Sequence, residues 1–155
     1  MRGLARKLDE DEEKWGLAGL LHDLDWEQTK DEPSRHSLVA YDILEKTDLD
    51  GEVALAIKRH NPAHKLELET LLDKALYSAE EITGLLTACA LVQPEKKLSA
   101  LTRESVMKKF KNKSFAAGVD REVVKLVEPW LGISVEELVD ICLEEMNKIS
   151  DELGL

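Results

Sequence analysis

The chain has 155 residues, a length that fits one domain around one core, and its 43% hydrophobic content supplies enough apolar material to fill it. The formal net charge of −11 argues against whole-surface attraction to nucleic acid or to anionic lipid. There is no apolar run long enough to span a membrane and no apolar stretch in MRGLARKLDEDEEKW of the secretory kind, so the expected compartment is the cytoplasm.

Strand signals are scarce, because aromatic content is only 5% and no segment sustains an apolar–polar alternation. Helical periodicity predicts an all-α fold, a single multi-helix bundle over residues 1–155. Arg2 to Leu8 reads as the tail of a helix, and Asp9 or Asp11 caps the next one. In that second helix Trp15, Ala18, Leu21 and Leu24 share one face, and its end is expected near Asp25. The polar stretch TKDEPSRH is a loop. Pro33-Ser34 then opens a third helix with Leu38, Val39, Ile43 and Leu44 as its buried stripe. Asp50-Gly51 starts a helix from Glu52 to His60, which Asn61-Pro62 stops. The longest helix is expected from about Leu68 to Leu91, apolar nearly all round and therefore central. Pro94 ends it. A basic helix from Ser99 to Phe110, one from Asp120 to Leu131, and one opened by the capping box Ser134-Val135-Glu136-Glu137 complete the chain. Cys89 and Cys142 lie in apolar helical patterns and read as two buried thiols; two cysteines are too few for a zinc–thiolate site.

The sharpest chemical signal is LLHDLDW, which places His22-Asp23 at the end of an apolar helix. An adjacent imidazole and carboxylate can both reach one cation, and mixed nitrogen and oxygen donors suit Mn, Fe, Co, Ni or Mg. Taken alone, the dipeptide is more often a surface pair at a helix terminus. His36 opens the third helix, His60 closes the fourth, and Glu80 lies in a helix that is otherwise apolar on most sides. Each has a plain alternative reading: a solvent-facing side chain for His36 and Glu80, and a helix-dipole contact for His60. A Ser or Cys nucleophile scheme and a Gly-rich phosphate loop find no support in the sequence.

The order His-Asp, His, His-Asn and then a carboxylate before Ile-Thr-Gly resembles the HD superfamily of metal-dependent phosphohydrolases. The stretches WGLAGLLHDLDW, ALYSAEEITGLLTACALV and KKFKNKSFAAGVDR are similar to a bacterial and archaeal branch of that superfamily. The resemblance implies an all-α fold and a divalent metal ion held by His22, Asp23 and, at the position of the later Asp, Glu80. It implies that His36 and His60 bind substrate phosphate or a second metal. It also implies a first His ahead of His22, a position with no match here. The expectation is that an N-terminal helix carrying this ligand is missing, or that the site is impaired. The activity implied is hydrolysis of a phosphate ester or nucleotide, with Asp23 as the catalytic carboxylate that orients the attacking water. The competing class is a non-catalytic HD-like module that binds a metal, a nucleotide or a partner protein.

One net-positive island, from Lys96 to Lys113, stands against the overall charge. Lys96, Lys97, Lys108 and Lys109 read as an electropositive rim that attracts an anionic substrate, as a nucleic-acid contact helped by Phe110 and Phe115, or as a solvated helix face. Phe110 and Phe115 read as core, and Trp15, Trp26 and Trp130 as helix-packing residues.

Overall fold

The computed structural model describes all of residues 1–155, and its regular elements are helical throughout. The α-helices are α1 (Arg2–Leu8), α2 (Glu12–Leu21), α3 (Trp26–Thr29), α4 (Leu38–Leu44), α5 (Gly51–Arg59), α6 (Leu71–Leu91), α7 (Arg103–Phe110), α8 (Arg121–Lys125), α9 (Val127–Leu131), α10 (Val135–Lys148) and α11 (Ser150–Leu153). Single 3-10 turns cover Pro62–His64 and Leu98–Ala100. No helix is long and apolar enough to cross a membrane. The chain forms two compact units, Met1–Tyr77 and Ser78–Leu155, and α6 runs from the first into the second.

In the first unit α2 packs on α1 and on α5, and α5 packs on α4. Aspartates start both central helices. Asp11 accepts the N–H groups of Glu13 and Lys14 at the head of α2, and Asp50 accepts that of Glu52 at the head of α5. The core of α5 is Val53, Ala54, Ala56 and Ile57, none more than 3% exposed. Trp15 fills the α2 side. Arg2 and Glu13 tie α1 to α2 across the surface.

In the second unit α10 packs against α7, α9 and the Leu98–Ala100 turn. The Ser134/Glu137 capping box forms as its sequence predicts, and Thr102/Ser105 makes a second one at the head of α7. Arg121 is buried. Its guanidinium donates to the carbonyls of Phe110, Asn112, Phe115, Ala116 and Val119, and so holds the 111–120 loop to the start of α8. Both cysteines are buried and unpaired.

Several boundaries differ from expectation, each for a local reason. Helix α2 stops at Leu21 rather than near Asp25, because residues 22–26 turn through i→i+3 bonds from Leu24 N–H to Leu21 and from Trp26 N–H to Asp23. Helix α3 fills residues 26–29, just ahead of the expected loop and sharing only Thr29 with it. Helix α4 begins at Leu38, since Ser37 sits at φ +70° and breaks the turn that Pro33 opens. Its buried positions are Ala40 and Leu44, while Ile43 is 43% exposed. Helix α6 begins at Leu71, where Thr70 Oγ1 accepts the Asp73 N–H. The basic helix is divided into a 3-10 turn and α7. The Asp120–Leu131 helix is also divided, because Pro129 lacks the N–H that would continue the ladder back to Lys125. Trp26 is 47% exposed and does not pack as a core residue.

Candidate metal centre

Three imidazoles of the first unit have one nitrogen committed and the other free. His22 caps the C-terminus of α2, and its Nδ1 lies 2.8 Å from the Gly19 carbonyl. His60 repeats the device at the end of α5, with Nδ1 2.5 Å from the Ile57 carbonyl. The last carbonyls of a helix have no partner within it, so a ring nitrogen three residues on is a ready donor. His36 is not at a helix end; its Nδ1 meets Asp25 Oδ1 at 2.8 Å. Carbonyls and carboxylates only accept, so in each ring the proton sits on Nδ1 and the Nε2 lone pair is left over.

Two of those lone pairs face one another. His36 Nε2 and His60 Nε2 are 3.2 Å apart, and Asp23 Oδ1 lies 3.3 Å from the first and 3.9 Å from the second. The circle through three atoms with these separations has a radius of about 2.0 Å, the length of a bond from nitrogen or oxygen to a transition-metal ion. A cation at that point would satisfy all three donors at once. The other oxygen of the same carboxylate, Asp23 Oδ2, is 3.4 Å from His22 Nε2, so Asp23 turns one oxygen to the His36/His60 pair and the other to His22. Burial pushes the His60 imidazole down to about 4, with the neighbouring His22 and His36 adding to the fall. The ring is therefore neutral near pH 7 and its lone pair is available.

The loops behind these rings are tied down. The His36 carbonyl accepts from Asn61 Nδ2 at 3.0 Å and from His64 Nε2 at 2.7 Å, and Asn61 Nδ2 also reaches the Pro33 carbonyl at 3.0 Å. Ser37 is buried, and its hydroxyl donates to the Lys58 carbonyl at 3.0 Å. The half-exposed Trp26 ring meets the edge of His36, with centroids 5.3 Å apart.

The HD domain family matches residues 1–90. The chain belongs to the HD-domain family. No curated protein and no solved structure matched it. The matched span takes in the whole first unit and α6 as far as Ala90.

Of the residues singled out from the sequence, the structure brings together Asp23, His36 and His60, whose donor atoms all lie within 4.8 Å of one another, and sets His22 beside them. Glu80 is exposed on α6 in the second unit. Lys96, Lys97, Lys108 and Lys109 also belong to the second unit: the first three are exposed, and Lys109 Nζ lies 4.5 Å from the Phe115 ring centroid. The sequence reading missed Asp25. Asp25 is two residues past the HD pair and reads as a helix-end acid. Its pairing with His36 depends on α4 folding over it, which no local pattern signals.

Proposed function

We propose that this HD-domain protein is a metal-dependent phosphohydrolase acting on a phosphate ester or nucleotide. The observation that carries the reading is the convergence of His36 Nε2, His60 Nε2 and Asp23 Oδ1 around a point about 2.0 Å from each, a metal–ligand bond length. Two imidazoles to one carboxylate is a donor set for Mn, Fe, Co or Ni more than for Mg, which prefers oxygen. His22 Nε2 and Asp23 Oδ2, 3.4 Å apart, would be the donors for a second ion. A divalent ion there supplies a bound water of lowered pKa and polarises a phosphoryl oxygen.

The chain's own residues supply the rest. Asp23 is half-exposed while His60 is 1% exposed, so the carboxylate is the edge of the site that water and substrate meet first. Asp23 orients the attacking water through its half-exposed carboxylate. Trp26 walls one side.

The test is elemental analysis of the purified protein, followed by hydrolysis assays on p-nitrophenyl phosphate, its bis-ester and a nucleotide panel. The expected result is bound transition metal and metal-dependent release of phosphate or nitrophenol, both lost in Asp23→Ala. Glu80, which the resemblance to the HD pattern puts among the ligands, joins the same assay as Glu80→Gln, and loss of metal there would add it to the set. Metal without turnover on any ester would replace the hydrolase with the binding-module reading. No metal after incubation with Mn, Co or Ni would overturn the hydrolase and leave only a module that binds a nucleotide or a partner protein.

A further inference from the structure

We infer that Asp25 is the positioning residue of the metal centre: it fixes the proton of His36 on Nδ1 and thereby keeps Nε2 open for the ion. Asp25 is 0% exposed, an environment in which a carboxylate is costly unless both oxygens are bonded. Both are. Oδ1 accepts from His36 Nδ1 at 2.8 Å, and Oδ2 accepts the Ala40 N–H in the first turn of α4 at 2.9 Å. His36 is the one imidazole of the three whose Nδ1 partner is a side chain rather than a backbone carbonyl, so its tautomer is set by a residue that substitution can change. The backbone of His36 is fixed separately by Asn61 and His64, which leaves the ring's rotation and tautomer to Asp25. The inference rests on the metal reading above, but its first readout does not need a metal.

The geometry makes a specific demand of Asp25→Asn. The Ala40 N–H still needs an acceptor, so the amide places its oxygen there and turns its NH2 toward His36. His36 Nδ1 then has to accept, the ring proton moves to Nε2, and the metal-binding lone pair is lost, although every hydrogen bond behind the ring is kept and the side chain is the same size.

Long-range 15N–1H correlation spectra of the metal-free protein near pH 8, with His36 assigned by its absence in His36→Gln, read the tautomer directly. Wild type is expected to carry Nδ1–H, and Asp25→Asn Nε2–H. Calorimetric titration with Mn2+ or Ni2+ is expected to weaken about 10–100-fold in the variant, the usual effect of removing an orienting partner of a ligand histidine. A wild-type His36 protonated on Nε2 overturns the inference, even if Asp25→Asn does not fold. So does a variant that keeps Nδ1–H, or one that switches tautomer with no loss of affinity. If neither protein takes up metal, the metal reading fails while the tautomer result still stands or falls on its own spectrum.

Discussion

Replacing His60 by Leu removes one of the three converging donors while nearly conserving side-chain volume, so the buried site stays filled. Without metal the cost is the Ile57 carbonyl left without its partner, about 1–3 kcal/mol, offset in part because a buried polar ring is gone. With metal the difference is larger and is read as a shift. An ion that binds only the folded protein, present at about 100 times its Kd, stabilises wild type by about 2.7 kcal/mol. Loss of an orienting partner alone weakens metal binding about 10–100-fold, so loss of a ligand is set at about 100-fold or more. The same metal concentration then falls to about the variant's Kd or below, and stabilisation drops to about 0.4 kcal/mol or less. For a chain of this size, melting is expected to rise by roughly 5–11 °C with Mn2+, Co2+ or Ni2+ in wild type, and by about 1–2 °C at most in His60→Leu. Differential scanning fluorimetry with and without chelator makes the comparison, each protein against its own metal-free baseline. An equal rise in both proteins would mean that the ion binds elsewhere, and no rise in wild type with any of the three ions would refute the metal centre.

Burial pushes the Cys142 thiol up to about 12, so at pH 8 its thiolate fraction is about 10⁻⁴, against roughly a quarter for an ordinary thiol; native protein is expected to react with Ellman's reagent over a thousand times more slowly at this site than urea-unfolded protein, and fast labelling of the native state would contradict the burial. The Trp26 ring meets the edge of His36, so Ni2+ or Co2+ is expected to quench part of the tryptophan fluorescence; Trp26→Phe removes that part, and quenching that survives the substitution places the ion elsewhere. Arg121→Leu takes the donor from five carbonyls of the 110–119 segment and is expected to cost about 3 kcal/mol or more in a urea melt, with Arg121→Lys intermediate because an ammonium has three donors rather than five; a loss under 1 kcal/mol would show that water replaces the guanidinium.

The parts of this molecule legible in the sequence are those written in local chemistry. Asp11, Asp50 and Ser134 announce helix starts because an N-cap needs an acceptor at a fixed offset. The apolar run of α6 announces a buried helix: Leu72, Ala75, Leu76, Ile82, Leu85 and Leu86 are all at most 2% exposed. His22, Asp23, His36 and His60 were readable as an ordered set through their resemblance to the HD pattern. What local chemistry did not carry was set by tertiary packing. Periodicity favours Ile43 over Ala40 as the buried residue of α4 because Ile is more hydrophobic, yet Ala40 faces inward, where its N–H reaches Asp25. That one choice of face explains both the misjudged stripe and the overlooked acid. The break at Leu126 had a visible cause in Pro129, but a proline is tolerated in the first turn of a helix and so marks a start as readily as an interruption.

The facing nitrogens of His36 and His60 have one competing explanation, a proton shared between them. The separations decide against it as a full account. A shared proton serves two acceptors along one line, and the 3.2 Å contact between the rings is long but passable for that purpose. It leaves Asp23 Oδ1 at 3.3 and 3.9 Å from the two nitrogens, too far for good hydrogen bonds. Three acceptors around a common centre suit a central cation, and about 2.0 Å is the radius such a cation takes. The arrangement is also held from outside. His60 is fixed by the carbonyl at the end of α5, and His36 by Asp25 and the Asn61–His64 clamp, so neither ring is free to turn its lone pair away. Holding two such lone pairs together in a buried site costs stability in the metal-free chain. Helix capping alone would ask for the Nδ1 bond of His60 and nothing at Nε2, so the convergence at Nε2 is the feature that the proposed metal centre accounts for and capping does not.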